Sequence, residues 1–305
     1  MPDPSTPAPA PHYVLVLMAS VTVLNVMDRQ LLAVLIDPIK RDLGVSDAAM
    51  GLLTGSSFAV LHVFATVPIA VWADRGVRRS IIAMGLAAWS GLTLLTGFAR
   101  GYMEIFAIRI GVGIGEATGS GPAQSLLADS YPPDRRATAL AVLVMGGPIG
   151  SMVAFAGGGW LADLYGWRAA FIVFGAPGLV LAILIRTLVP EPQRGAFDRT
   201  SEGARPDTRP LSFTAALRFL VSVPTVRTIA LASGCNAVGL YAVLVWSVPY
   251  MTRVHGLSTG EAGLQLAIAA GLSTALGTLA GGRLGDRLAR RDLRWLAWLP
   301  GMTLA

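Results

Sequence analysis

Long apolar segments alternate with short polar ones along most of the chain. Each apolar segment is about 20 residues long, enough to cross a bilayer core of about 30 Å as a helix. The pattern predicts eight membrane-spanning helices and the start of a ninth near residue 294. The eight predicted spans cover residues 13–36, 48–72, 80–98, 104–127, 137–161, 169–188, 226–250 and 262–281. We therefore expect an all-α integral membrane protein.

Polar segments divide this pattern into four regions. Residues 1–12 are Pro-rich and carry no Lys or Arg, which predicts a disordered tail and no signal peptide. Residues 13–189 contain six predicted spans and form the expected N-terminal bundle. Residues 190–224 are polar and are predicted to form a linker. Within this linker, residues 211–223 have the pattern of a short amphipathic helix. Residues 225–305 hold a partial second bundle.

The basic residues are distributed unevenly between the predicted loops. Of 24 Lys and Arg residues, 17 lie beside loops on one side of the membrane, five lie on the other side and two lie within spans. Under the positive-inside rule the side with 17 is cytoplasmic, and so are the N-terminus and the linker. The net charge of +6 then reflects topology and indicates no nucleic-acid partner. We expect a multi-pass protein of the bacterial inner membrane.

An internal repeat relates two parts of the chain at an offset of 212 residues. The hexapeptide at 74–79 returns at 286–291, and each copy follows an apolar segment. The same offset maps Gly44 onto Gly256 and Ser46 onto Ser258. Duplicated sets of membrane spans are a common architecture of secondary transporters.

Four ionisable side chains lie within predicted spans, where a charge at mid-bilayer costs at least about 2.5–3.5 kcal/mol. They are Asp28 and Arg29 in the first span and Arg109 and Glu116 in the fourth. Helix geometry places Asp28 between Arg109 and Glu116 in depth. Asp28 and Arg29 are adjacent and point about 100° apart, so we expect them to have different partners. The four form either a structural ion-pair cluster or a proton-coupling site, since desolvation and a nearby Arg act oppositely on a carboxylate.

Other candidates carry two interpretations each. His62 is either a polar packing contact or a functional imidazole. Trp246 either anchors a helix at the membrane interface or, together with Tyr241, lines a substrate path. The small residues of the fifth span either pack helices closely or form a bend that takes part in gating: Gly146, Gly147, Pro148 and Gly150.

The sequence contains no nucleophile–base constellation, and we expect no enzymatic activity. The single cysteine, Cys235, excludes an intramolecular disulfide and a cysteine-built metal site. The glycines of residues 111–121 do not follow the G-x-G-x-x-G spacing and no strand precedes them, so they do not predict a phosphate loop. Neither a cofactor nor a metal is expected.

Several of these motifs resemble those of the major facilitator superfamily. Residues 70–79 are similar to its loop motif G-x-x-x-D-R-x-G-R-R, with Ala70 in place of the first glycine, and residues 282–287 repeat that motif. Arg109 with the glycines that follow it, and Gly146 to Gly150, resemble two further motifs of the superfamily. Asn25-Val26-Met27-Asp28-Arg29 and residues 109–117 look like the Spinster-type branch.

The resemblance implies a major facilitator fold, with a six-helix bundle followed by an incomplete second bundle. It implies a monomeric transporter that works by alternating access on a small organic or amphiphilic solute. The four charges within spans would couple transport to protons. The loop motifs would act in gating, through Asp74, Arg75, Arg78, Arg79, Asp286, Arg287, Arg290 and Arg291. An uncoupled facilitator and a non-transporting membrane protein are the alternatives. Because the family has twelve helices, we expect a C-terminally truncated chain.

Overall fold

The computed structural model describes residues 12–195, 197, 218–219, 221–289, 292 and 294, and these residues form helices and no strand. The helices are α1 His12–Val34, α2 Ile36–Leu43, α3 Asp47–Thr54, α4 Ser56–Arg75, α5 Arg78–Thr96, α6 Tyr102–Glu116, α7 Ser120–Ser130, α8 Pro133–Val153, α9 Gly159–Tyr165, α10 Trp167–Leu188, α11 Pro224–His255 and α12 Thr259–Ala289. A π-helical turn, Ala154–Gly158, joins α8 to α9. The all-α prediction is confirmed.

Several predicted features lie outside the described residues. They are the N-terminal tail before His12, the ninth span beyond residue 294, and the predicted amphipathic helix at 211–223 apart from residues 218–219 and 221–223, of which 218–219 and 221–222 are helical. Within the described ranges, five helical segments are long and apolar enough to cross a membrane. These five are α1, α5, α8 together with α9, α10 and α11.

Two of the predicted spans are interrupted in the structure. The span predicted at 48–72 is divided into α3 and α4 at Gly55, which has the non-helical backbone angles φ −104° and ψ −83°. The span predicted at 104–127 is divided into α6 and α7, because the amides of Thr118 and Gly119 donate to carbonyls three residues earlier, at 3.1 and 3.0 Å. The second interruption places Glu116 at the last position of α6.

Five of the first six predicted spans contribute side chains to one apolar core, and the second span packs beside it on α6. Helix α1 packs on α8 and α10, while α5 packs on α10 and α6, and α4 packs on α6. The core is built from large apolar side chains that are almost completely buried: Met18, Val21, Ile82, Leu86, Trp89, Val112, Leu126, Leu127, Leu143 and Ile185. Their burial fixes the relative positions of the helices that carry the ionisable residues.

Small residues of α8 allow it to approach α1 closely. A Cβ atom at Gly146 would lie 2.7 Å from the carbonyl oxygen of Ala19, and a Cβ at Gly150 would lie closer still to the carbonyl oxygen of Val23. At Gly147 the nearest atom would be 3.8 Å away, an ordinary contact. Gly146 and Gly150 therefore pack α8 against α1, and a gating role for these glycines and Pro148 stays a prediction.

The chain forms two compact units. One comprises the residues up to Phe197 together with Val245–Thr274, so the end of α11 and the start of α12 belong with the first six predicted spans. The other comprises Asp198–Leu244 and Ala275–Ala305. In this second unit the described side chains of residues 224–243 are exposed.

The internal repeat has a counterpart in local structure. Gly44 and Gly256 both have left-handed backbone angles, with φ of 64° and 68°, which glycine adopts without steric cost. Two residues later, Ser46 accepts a hydrogen bond from the amide of Ala49 at 3.2 Å, and Ser258 accepts one from Glu261 at 3.1 Å. Both copies therefore form the same turn, which ends one helix and caps the next.

Candidate functional site

The structure brings the four ionisable residues of the first and fourth spans together as two ion pairs. The Nε atom of Arg29 lies 2.5 Å from Oε2 of Glu116, and Nη1 of Arg109 lies 3.0 Å from Oδ2 of Asp28. Each pair joins α1 to α6, and adjacent residues on α1 have different partners. We call these four residues the central charge cluster. Two acids and two bases give it no net charge, which offsets part of the cost of burying ions.

The members of the central charge cluster differ in burial. Asp28, Arg109 and Glu116 are 3%, 2% and 0% exposed, respectively. The side chain of Arg29 is 24% exposed. Arg29 is therefore the most solvent-accessible member of the central charge cluster.

The two carboxylates differ in how many of their oxygens have a hydrogen-bond partner. Both oxygens of Asp28 are engaged, since Oδ1 also accepts a hydrogen bond from the hydroxyl of Thr93 at 2.6 Å. Oε1 of Glu116 is buried and has no hydrogen-bond partner among the described residues. An unsatisfied buried carboxylate oxygen is costly, and protonation is one way to remove that cost. The pair formed by Arg109 and Asp28 is further enclosed by Phe171, whose ring centre lies 5.5 Å from the guanidinium carbon of Arg109.

The other candidate residues occupy different places. His62 is half-buried, and its Nδ1 lies 3.1 Å from the carbonyl oxygen of Gly113, which joins α4 to α6. Because a carbonyl only accepts, Nδ1 must carry the proton. Trp246 lies in the last third of α11, with its ring centre 6.0 Å from the guanidinium carbon of Arg253. Tyr241 is exposed in the second compact unit.

The first loop motif forms a polar network on the predicted cytoplasmic side. Arg78 is 1% exposed and forms ion pairs with Asp129 at the end of α7 and, at 2.9 Å, with Glu191 after α10. It also donates to the hydroxyl of Ser125 at 3.0 Å and to the carbonyl of Pro192 at 3.0 Å. One arginine therefore fastens three segments of the bundle together.

Neighbouring residues extend this network. The amide of Arg79 donates to Glu191 at 2.9 Å, and Arg194 donates to the carbonyl oxygens of Ala73 and Gly76 at 2.6 and 2.9 Å. Among the remaining residues of the two loop motifs, Asp74, Arg75 and Arg287 are exposed. The side chain of Asp286 lies outside the described part of the chain, and so do Arg290 and Arg291.

A second charged cluster lies at the opposite end of the first unit, where α11 ends. Arg253 donates to Asp37 of α2 at 2.5 and 3.0 Å and to both carboxylate oxygens of Asp47 in α3 at 2.8 and 3.1 Å. Thr252 donates to Asp37 at 2.6 Å, and Lys40 lies 2.9 Å from Asp47. We call these five residues the outer cluster. The bidentate arginine contact gives it a defined geometry.

The outer cluster borders an open pocket of about 580 Å³. Hydrogen bonds from Arg253 and Lys40 lower the pKa of Asp47 to about 2. The carboxylate is therefore ionised at any physiological pH. Beside the pocket, the amide of Gly260 donates to Asp163 at 2.7 Å, which fastens α12 to α9.

Sequence reasoning missed the partners that complete these sites. Thr93 has no distinguishing pattern, because a threonine within an apolar span is usually a packing residue. Asp129 and Glu191 could have been found by asking which acids neutralise a loop rich in arginine. Asp37 and Asp47 could have been found in the same way, since the repeat places a basic residue at Arg253.

Comparison with known proteins places this arrangement in a family. The sequence profile described as Major Facilitator Superfamily matches residues 18–305. An "MFS-type efflux pump" of Mycolicibacterium smegmatis is 36% identical over 287 residues, which is 92% of this chain and 64% of the relative. Human "Protein spinster homolog 1" is 29% identical over 243 residues, which is 79% of this chain and 46% of that protein.

A solved structure shares both sequence and fold with the chain. It is the crystal structure of a bacterial homologue of the human lysosomal transporter Spinster, in an inward-facing and unoccupied conformation. Sequence identity is 31% and the TM-score is 0.80, over 95% of this chain and 64% of that one. The chain spans less than two thirds of the length of each of these three proteins.

Proposed function

Because this chain belongs to the major facilitator superfamily, we propose that it is a secondary transporter of a small organic or amphiphilic solute, coupled to protons. Its relatives include proteins named as an efflux pump and as Spinster homologues. The 17 basic residues beside one set of loops support a cytoplasmic N-terminus and placement in a bacterial inner membrane. The chain would work as a monomer by alternating access.

The observation that carries the proposal is the unequal state of the two buried carboxylates. Asp28 is enclosed and has partners on both oxygens. Glu116 is also fully buried, and among the described residues its direct ion pair is with the partly exposed Arg29. A buried carboxylate that can lose its direct ion-pair partner is suited to take up and release a proton.

Coupling follows from competition for Arg29. While Arg29 contacts Glu116, the carboxylate stays ionised because its charge is compensated. When a polar group of a solute, or a movement of α1 relative to α6, draws Arg29 away, an uncompensated charge would remain in an apolar environment. Proton uptake by Glu116 removes that charge. Solute binding and protonation would then favour each other by the same free energy.

In this proposed transport cycle, the contacts of the outer cluster would hold one end of the protein closed. Arg253 connects the end of α11 to α2 and α3, and Gly260 connects α12 to α9. Opening the protein at this end requires these contacts to break. Closing the opposite end would have to compensate that loss, as alternating access demands.

The test is solute uptake by the purified 305-residue chain in proteoliposomes, with and without an imposed pH gradient. Suitable probes are ethidium, a fluorescent lysophospholipid and glucarate, which differ in charge and amphiphilicity. We expect one of them to accumulate only when the gradient is present. Glu116→Gln should abolish accumulation driven by the gradient while leaving exchange at equal pH. Asp28→Asn should impair both, because it leaves Arg109 buried without its counter-charge.

Glu104→Gln is the matched control, because Glu104 lies on the same helix but is exposed and bonds only the amide of Arg100, at 2.8 Å. It should behave as the wild type. Uptake that is the same with and without the gradient, and the same in Glu116→Gln as in the wild type, would identify an uncoupled facilitator whose buried charges only stabilise the structure. If the wild-type chain moves none of the probes, the proposal of transport by this chain alone is contradicted for these solute classes.

A further inference from the structure

The hydroxyl of Thr93 makes a contact that differs from those of neighbouring hydroxyl residues in helices. Thr96, one turn further along α5, donates to its own backbone at Leu92, at 3.1 Å. Thr66 and Thr187 likewise donate to carbonyls four residues earlier. Thr93 instead donates across the helix interface to Oδ1 of Asp28, at 2.6 Å, and is 2% exposed. The α5 helix thus contributes a hydrogen bond to the central charge cluster.

The space around Asp28 leaves that carboxylate no room to contact a solute. The void beside it has a volume of about 10 Å³, at or below the size that holds one water molecule. Its lining is mostly apolar and includes Trp89 and Phe174. The charged groups nearest to Asp28 are Arg109, which it contacts, its chain neighbour Arg29, and Glu116.

We propose that Thr93 is a positioning residue that keeps Asp28 paired with Arg109 and thereby leaves Arg29 to Glu116. The proposal rests on the proton-coupled function given above and adds a third helix to its machinery. Thr93 contacts neither a solute nor the proton-carrying Glu116; it acts through Asp28. Its hydroxyl occupies the one oxygen of Asp28 that Arg109 does not bind.

Without this hydroxyl, Oδ1 of Asp28 would be buried without a donor. Two sets of donors would remain for it: Nε and Nη2 of Arg109, which are buried and have no hydrogen-bond partner among the described residues, and Arg29, which is adjacent in sequence and partly exposed. An Asp28 that turns towards Arg29 competes with Glu116 for the same guanidinium. Glu116 would then lose its counter-charge without any solute, and proton movement would no longer require transport.

The contact itself is tested by a double-mutant cycle of thermal unfolding with Thr93→Val and Asp28→Ala in the intact chain. Valine keeps the shape of threonine and replaces the hydroxyl by a methyl group, and alanine removes the acceptor oxygens of Asp28. We expect the two losses to be non-additive, with the double variant no less stable than Asp28→Ala alone. In the matched control, Thr96→Val should add to Asp28→Ala. Additive losses for Thr93→Val would overturn the contact.

The positioning role is tested by proton leak into pyranine-loaded proteoliposomes under a pH gradient, with no solute present. Thr93→Val should raise the leak by about tenfold, the change in an equilibrium when one hydrogen bond to a charged group is lost. Thr93→Ser restores the hydroxyl and should return the leak to the wild-type level, and Thr96→Val should not alter it. A leak unchanged in Thr93→Val, or raised equally in Thr96→Val, overturns the proposal.

These results separate the two proposals. If Glu116→Gln leaves gradient-driven uptake intact, the proton-coupled function fails whatever the cycle shows. If Glu116→Gln abolishes that uptake while Thr93→Val changes neither the leak nor the cycle, only the role of Thr93 fails.

Discussion

The Nε atom of Arg29 lies 2.5 Å from Oε2 of Glu116, and this contact joins the partly exposed member of the central charge cluster to its most deeply buried member. The pair lies beside the interruption between α6 and α7, so Glu116 ends its helix. A helix end can move more easily than a helix interior, because fewer backbone hydrogen bonds hold it. Geometry and burial together make this pair the point at which we propose that charge and conformation are coupled.

Removing one member of this pair should cost more than removing both. Arg29→Gln leaves the Glu116 carboxylate without its counter-charge, and we expect a loss of about 3–5 kcal/mol in the free energy of unfolding. The double variant Arg29→Gln/Glu116→Gln should recover most of that loss, since no buried charge remains. Thermal or denaturant unfolding in detergent at neutral pH measures both. If the double variant loses as much stability as Arg29→Gln alone, or as much as the two single variants added together, the pair is not coupled.

The arginine of the first loop motif should be essential for stability. Arg78 is almost completely buried and bonds Asp129 and Glu191 from two other segments. Arg78→Gln should lower the free energy of unfolding by about 3–5 kcal/mol, because two acids lose their shared cation. Arg75→Gln, three residues earlier on the exposed surface, should change it by less than about 0.5 kcal/mol. Similar melting temperatures for the two variants would contradict this assignment.

The outer cluster should remain closed over the physiological pH range. The lowered pKa of Asp47, about 2, means that its stabilising contribution is present above the unfolded pKa and is lost only as the pH falls towards 2. A cysteine pair, Asp163→Cys with Gly260→Cys in a Cys235→Ser background, reports closure by disulfide formation, since a Cβ built at Gly260 would lie 2.7 Å from Oδ2 of Asp163. Cross-linking should be the same at mildly acidic and neutral pH.

Arg253→Gln in the same background should reduce cross-linking, because it removes the contacts that hold α11 to α2 and α3. Arg41→Gln is the control, since Arg41 occupies the equivalent position in the first copy of the repeat and bonds only the backbone of Asp37, at 3.3 Å. If Arg41→Gln lowers the yield as much as Arg253→Gln, the outer cluster is not what closes this end. A pH-dependent yield in the parent pair would assign proton sensitivity to this cluster as well.

Close packing of α8 on α1 should depend on Gly146 and not on Gly147. Gly146→Ala places a methyl group 2.7 Å from the carbonyl oxygen of Ala19, and we expect a loss of about 1–3 kcal/mol in the free energy of unfolding. Gly147→Ala meets its nearest neighbour at 3.8 Å, so it should be neutral or stabilising by up to about 1 kcal/mol through helix propensity. The free energies of unfolding of the two variants, measured in detergent, test this prediction. Equal values would contradict the packing assignment.

The fold was largely predictable because its signals are local. Apolar segments of span length, the repeat and the loop motifs are all readable along the chain, and the all-α major facilitator fold is confirmed. The interruption after Glu116 was not predicted, because glycines such as Gly115 and Gly119 are compatible both with a packed straight helix and with a broken one. Which of these forms depends on neighbours such as Trp89, which would lie 3.0 Å from a Cβ at Gly115 and 3.4 Å from a Cβ at Gly119.

The sequence by itself determined which residues form the central charge cluster, because ionisable groups within apolar spans cannot be tolerated singly and must find one another. It also determined the duplicated turn at Gly44 and Gly256, since both glycines adopt left-handed angles in the same sequence context. Tertiary structure alone decided the pairing within the cluster and the hydroxyl of Thr93 that completes Asp28. The reason is physical: sequence spacing fixes a residue's depth and its face on one helix, but distances between helices of about 3 Å are set by how all the side chains of the bundle pack together.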